Sequence, residues 1–346
     1  MYKELKQKQI QTDRLEVSYL EAGEENKNNL ILLHGNTSSN LFYIPTIDKL
    51  KDDFHIYSPD LRGYGYTEKL PIDSTKGVRV WSEDIRSFIK KLNIEKPIFV
   101  GWSMGGGVAM QYAIDYPSDI SGIGLINPLS PYGYSGTKLE TGESNNPDYS
   151  GTGAGGTNPK FVNDLKNKTL GTDSSTSAEN VLKTLFAPDY KVEDDLKELF
   201  VKSMLLMEIG EDFYPGDFKP STYWPFFGPG ERGTGNCMSP KYVNLESFST
   251  IEPKVPVIWF RGVKDSIVSD ASFLDIGNLG KLNILPDWPG EKEYPPQPMV
   301  KQTRYVLEKY QENGGKYKEV VFENSGHAPQ IEEESKFVRE LKEFFK

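Results

Sequence analysis

Short apolar runs recur along the chain at the length of buried strands. Between several of them the apolar positions fall three and four apart, the spacing of a helix face. Alternation from Ile10 to Leu20 predicts an opening hairpin. Continuous apolar runs near 30–34, 55–59, 97–101, 122–127, 255–261 and 318–323 predict buried strands. Trp81, Ile85, Phe88, Ile89 and Leu92 share one helical face, as do Val108, Ala109, Tyr112 and Ala113. Phe337, Leu341, Phe344 and Phe345 make a similar stripe near the end. Strands alternating with helices predict an α/β protein with a mostly parallel, doubly wound sheet covered on both faces. Such sheets gather their sites at the carboxyl ends of the strands.

The rhythm breaks between Ser130 and Ile251. Two core pieces, 1–129 and 252–346, are left to build the sheet, and 130–251 is expected to form an inserted, largely helical cap. The insertion opens with a polar, Gly-rich stretch from Pro131 to Pro159, long enough to be a functional or mobile loop. Within it, Gly151-Thr152-Gly153-Ala154-Gly155-Gly156 superficially suggests a phosphate loop. It follows no strand and opens no helix, so it reads as a flexible or Gly-packed loop. Val192, Leu196, Leu199, Phe200, Ser203 and Met207 form one face of a helix expected from about Glu193 to Ile209. An aromatic cluster follows, and Tyr223, Trp224, Phe226 and Phe227 are its candidates for pocket walls. A proline-dense excursion from Leu274 to Pro298 resists both helix and central strand.

Composition narrows the classes. The 346 residues carry a net charge of -10, which argues against a nucleic-acid partner. The single cysteine, Cys237, has no partner for an internal disulfide. The stretch from Met1 to Lys8 lacks an apolar signal core, and no run is apolar enough to span a bilayer, so a cytoplasmic protein is expected. Neither metal-ligand spacing nor a dinucleotide fingerprint is present in the sequence. Metal and cofactor are therefore expected to be absent, and the oligomeric state is left open.

The candidate chemistry centres on Gly101-Trp102-Ser103-Met104-Gly105, set between the strand Ile98–Val100 and a helical stretch. A serine boxed by small residues on a sharp strand-to-helix turn is a nucleophile elbow. The turn lifts the hydroxyl clear of the sheet, and the helix directs unpaired N–H groups at the same spot. A serine nucleophile needs a base, and the chain has 3 histidines. His55 lies inside a strand, and His34 ends one. His327 follows a late strand in a loop, where it reaches across the strand tips, and is the favoured base. Asp265, just past the strand Val255–Arg261, is the favoured orienting acid, with Asp270 as its rival. The order serine, acid, histidine fits the elbow arrangement. An oxyanion hole requires fixed donors. The backbone N–H groups of Met104 and Asn36 are the candidates, with the Asn36 amide as a further donor. Trp102, fixed beside the nucleophile, is either a pocket wall or a core anchor.

Five motifs stand in one order: His34-Gly35-Asn36, Asp60-Leu61-Arg62-Gly63-Tyr64-Gly65, Gly101 to Gly106, Arg261 to Asp265, and Gly326-His327. On these the chain resembles the α/β-hydrolase fold superfamily, in its serine-nucleophile, esterase-like branch. The Ser-Met-Gly-Gly form is similar to that of esterases, C–C bond hydrolases and perhydrolases. Epoxide hydrolases and haloalkane dehalogenases resemble the chain at His-Gly-Asn, but they carry aspartate where this chain has Ser103. The resemblance implies hydrolysis of a carboxylic ester through an acyl-enzyme, without a cofactor. The expected partner is a small molecule with an apolar acyl or aromatic part. C–C cleavage, amide or N-terminal peptide hydrolysis and lactone opening on the same triad are the alternatives, as is a non-catalytic ligand-binding role.

Overall fold

The structure is a computed structural model that describes residues 5–346; the leader reading for residues 1–4 lies outside the described residues. Eight strands form the central sheet. They are β1 (Lys8–Gln11), β2 (Glu16–Ala22), β3 (Asn29–Leu33), β4 (His55–Pro59), β5 (Ile98–Trp102), β6 (Gly122–Ile126), β7 (Val257–Gly262) and β8 (Tyr317–Phe322). Their spatial order is β1-β2-β4-β3-β5-β6-β7-β8. The opening hairpin pairs antiparallel, and all pairs from β4 to β8 are parallel. The mostly parallel α/β sheet is therefore present. Its central strands β5 and β6 are buried at every position. That is why they read as unbroken apolar runs: helices cover both faces of a parallel sheet.

Helices seal those faces through the stripes visible in the sequence. Helix Arg79–Leu92 buries Val80, Trp81, Ile85, Phe88 and Ile89 and stops at Asn93 in the left-handed conformation. Helix Glu334–Phe345 buries Phe337 and Leu341, with the Phe337 ring 4.6 Å from that of Phe260 on β7. Helix Met299–Glu312, absent from the sequence reading, buries Gln302 and Thr303 as well as Met299, Val306, Leu307 and Tyr310.

Residues 130–251 leave the sheet after β6 and return at β7. They hold the helices Pro159–Lys166, Ala178–Lys183 and Asp194–Met204 and otherwise run mostly as turns, loops and three two-stranded ribbons, so the largely helical insertion expected from the sequence is not found: its glycines and prolines break the helical runs. The last of these helices stops at Met204, five residues short of expectation. The chain then turns so that Glu208 N donates to Gly63 O at 2.9 Å. The Gly-rich stretch is packed: Ser135, Thr137, Ser150, Thr152 and Ala154 are all buried. Asn236 Oδ1 receives Ala154 N at 3.0 Å, which ties the glycine run to the short helix Thr234–Cys237. Its role there is structural: Ala154–Gly156 forms a single 3₁₀ turn, and helix Pro159–Lys166 starts three residues further on.

The proline-dense excursion packs onto the insertion. Trp224, Ile276 and Tyr294 form a satellite apolar cluster, with Phe227, Leu279, Leu285 and Trp288 around it. A buried polar seam runs beside them. Ser135 Oγ donates to Asp275 Oδ1 at 2.9 Å and Tyr294 Oη to Ser150 O at 2.8 Å. Gln297 Nε2 donates to Gly133 O at 3.0 Å. Buried polar groups are costly unless they are bonded in this way.

Candidate active site

β5 ends at Trp102; Ser103 follows with its backbone at φ +55° and ψ -120°, and helix Met104–Asp115 starts at the next residue. Positive φ strains a residue that carries a Cβ, so the surroundings must hold it there. They do so from both sides. Ser103 N donates to Ile126 O at 2.9 Å, and Ser103 O accepts from Gly106 N and Leu129 N, each at 2.9 Å. The strain turns the hydroxyl away from the sheet, and the Ser103 side chain is partly exposed amid buried neighbours. Met104 opens the helix, so its N–H is a first-turn donor with no partner inside the helix.

The loop after β3 lies against this turn. A Cβ on Gly35 would sit 3.0 Å from Ser103 Cβ, so glycine allows the approach. Asn36 follows, and Tyr64 Oη donates to its Oδ1 at 2.7 Å while Thr37 N donates to the same atom at 2.9 Å. With the oxygen taken, the amide N–H₂ group is left as a donor. Tyr64 Oη also lies 3.9 Å from Met104 Sδ, so one buried phenol spans both candidate oxyanion residues.

His327 and Asp265 meet past the tips of β8 and β7. His327 Nδ1 donates to Asp265 Oδ2 at 2.8 Å, and both side chains are almost fully buried. Asp265 Oδ1 accepts from Ile267 N at 2.8 Å and Val268 N at 3.1 Å. The carboxylate is thus satisfied on both oxygens, and the imidazole is fixed with its proton on Nδ1 and a lone pair on Nε2. Among the described residues no hydrogen bond joins Ser103 Oγ to the imidazole. The link between the two loops is Trp102, the neighbour of Ser103. Its indole N–H donates to His327 O at 2.8 Å, and the two rings lie 5.5 Å apart. Trp102 is only 1% exposed, which is the place of an anchor. Asn127 completes the frame: its Nδ2 donates to Gly326 O at 3.0 Å and its Oδ1 accepts from Gly262 N at 3.1 Å. It ties the end of the acid strand to the base loop.

The other candidates lie elsewhere. Asp270 accepts from Val300 N at 2.9 Å and Lys301 N at 3.3 Å, at the start of helix Met299–Glu312. His55 pairs with Glu21 at 2.7 Å at the far end of the sheet order. His34 Nδ1 donates to Gly35 O at 2.8 Å, and its Nε2 accepts from Leu61 N at 3.0 Å. Burial holds it neutral, with its pKa pushed down to about 4. Of the aromatic candidates, Trp224 points its indole N–H at Pro286 O, and Phe227 lies over Gly155. Tyr223 and Phe226 are 43% and 58% exposed on the turn around Trp224. Trp224 and Phe227 pack against the 276–294 excursion, while Tyr223 and Phe226 bond within their own turn, to Ser221 and to each other. Tyr64 and Asn127 were missed in the sequence. The signal for each was its place, one inside the Asp60–Gly65 motif and the other at the tip of β6.

Asp60 gives the site a measurable acid response. Burial raises its carboxyl from the ordinary 3.8 to about 6, against hydrogen bonds from Asn40 N and Tyr66 N. Because the folded pKa is raised, the native state binds the proton first as pH falls. Asp60 therefore adds stability that is full below pH 3.8 and lost as pH rises through about 6. An Asp60→Asn variant is expected to lose about 2 kcal/mol more than the parent on going from pH 6.5 to 4. Urea unfolding at the two pH values measures the difference.

The family model described as alpha/beta hydrolase fold matches residues 28–272, more than half of the chain, and the chain belongs to that family. An uncharacterized hydrolase of Saccharomyces cerevisiae, YNR064C, is 38% identical over 117 residues, which are 32% of this chain and 38% of that one. The chain spans about a third of the length of the curated relatives it matches. A structure of a putative aryl esterase from Burkholderia cenocepacia superposes with a TM-score of 0.61 at 18% identity, covering 98% of this chain and 97% of its own. Bromoperoxidase from Bacillus anthracis superposes with a TM-score of 0.64 at 15% identity, covering 98% and 99%. These two likenesses are of fold. No helix of the described residues is long and apolar enough to cross a membrane.

Proposed function

We propose that the chain is a serine carboxylesterase acting through Ser103, His327 and Asp265. His327 Nε2 takes the proton of Ser103 Oγ as the oxygen attacks the acyl carbon, and the imidazolium that forms is stabilised by Asp265. The Met104 and Asn36 N–H groups receive the negative charge on the carbonyl oxygen. His327 then gives its proton to the leaving alcohol, and water, activated by the same imidazole, releases the acid from Ser103. The observation that carries this reading is the 2.8 Å Asp265–His327 bond, whose histidine is tied through Trp102 to the strained turn of Ser103.

Residues 130–251 are the cap in this proposal. Their contacts support it: Ser203 Oγ lies 2.6 Å from Ser39 Oγ, and Leu185 O accepts from His327 N at 2.8 Å. In this reading the substrate carries an apolar acyl or aromatic part. The test is hydrolysis of p-nitrophenyl esters of graded chain length, together with labelling by a fluorophosphonate. Turnover and one label per chain, mapped to Ser103, are expected. A label on any other residue, or an unlabelled protein without turnover, sinks the proposal.

A further inference from the structure

The main chain around His327 is held by one carboxylate outside the triad. Glu332 lies one helical turn beyond the histidine, on the short helix Pro329–Glu332. Its Oε1 accepts from Gly326 N at 2.8 Å and from Ala328 N at 3.4 Å, the amides of the residues before and after His327. Its Oε2 accepts from Ala187 N of the insertion at 2.7 Å. The strap Leu185-Phe186-Ala187 therefore meets the base loop twice, since Leu185 O also receives His327 N at 2.8 Å. A Cβ on Gly326 would lie 2.7 Å from Ala187 N, so strap and loop are in direct contact. Phe186 continues the attachment. It stacks on Phe200, which stacks on Phe42, which packs on Trp102, whose indole holds His327 O.

A carboxylate bonds strongly to peptide N–H groups at the distances of Gly326 N and Ala187 N, because the acceptor is charged, and holds Ala328 N at 3.4 Å more weakly. Three such donors converge from two chain segments, and the two flanking peptides set where the imidazole points. We propose that Glu332 is a positioning residue for the base: it fixes the peptide frame of His327 and joins that frame to the strap 185–187 of the insertion. The role rests on the reading of Ser103, His327 and Asp265 as the reacting set. It makes the insertion part of the catalytic geometry, because an insertion that lifts at the strap takes a hydrogen-bond acceptor from His327 N and a donor from Glu332.

Glu332→Ala and the isosteric Glu332→Gln test it through two readouts, p-nitrophenyl ester kinetics and the proton resonance of His327 Nδ1–H. Among the described residues His327 is the one histidine bonded to aspartate, so that downfield resonance reports the pair. Glu332→Ala is expected to lower kcat about 100-fold, the size of an ~1 Å misplacement, with KM within about twofold. Its resonance shifts or broadens. Glu332→Gln keeps one oxygen for Gly326 N and recovers kcat to within about tenfold of the parent, with an intermediate resonance. Two results overturn the proposal: an unmoved resonance with kcat within twofold in both variants, or a Glu332→Ala loss that follows thermal destabilisation alone while the resonance stays in place. A parent that hydrolyses no ester defeats the esterase reading, and the resonance still decides the role of Glu332.

Discussion

Ser103→Ala is expected to reduce ester hydrolysis by about 10⁶-fold while the protein keeps its native circular dichroism and its urea midpoint. The size follows from chemistry. Without the hydroxyl there is no acyl-enzyme, and only the oxyanion donors and binding remain to act on direct attack by water. The fold survives because alanine keeps the Cβ, and the bonds that hold the turn are made by backbone atoms alone. Ser103 N, bonded to Ile126 O, and Ser103 O, which receives Gly106 N and Leu129 N, are untouched. Initial rates on a p-nitrophenyl ester, with enzyme concentration raised to detect the residue of activity, provide the measurement. A variant that retains turnover within tenfold of the parent removes Ser103 from the chemistry.

Asp265→Asn is expected to lower kcat about 10⁴-fold with little change in folding. The direction follows from the two hydrogen bonds on the far side of the carboxylate. Ile267 N and Val268 N both donate to Oδ1, so an asparagine must place its amide oxygen there. Its N–H₂ group then faces His327 Nδ1, where the parent has an acceptor at 2.8 Å. Two donors cannot share that gap, so the imidazole moves its proton to Nε2 and has no lone pair for the serine. The downfield Nδ1–H resonance is expected to vanish with the activity. A variant with the resonance intact and kcat within tenfold shows that Asp265 does not orient the base.

The sheet was legible because its strands are buried on both faces and therefore written as unbroken apolar runs, β5 and β6 most plainly. Asp265 and His327 were legible as a pair because each lies just past such a run, and the geometry separated Asp265 from Asp270 by what each bonds. Other parts were hidden by chemistry that periodicity does not register. Helix Met299–Glu312 turns Gln302 inward to serve the polar seam and buries Thr303, whose hydroxyl bonds Met299 O one turn back, so its stripe is broken by polar letters. Glu332 reads as one acid in the acidic run Glu332 to Glu334, and its role depends on three peptide groups that only the folded chain brings together. Tyr223, Trp224, Phe226 and Phe227 formed the densest aromatic cluster in the insertion. Density marked a place where two excursions pack on each other, which calls for large apolar side chains as much as a ligand does.

The same packing bears on how such a protein is re-engineered. Asp275, Gln297 and Tyr294 are buried and reach Ser135, Gly133 and Ser150, across more than a hundred residues of chain. A chimaera that imports a foreign 130–251 would remove the partners the insertion supplies to this aspartate, glutamine and tyrosine in a dry interior. The transplantable unit is a pair of segments, the insertion and the 274–298 excursion, and a specificity swap has to carry both.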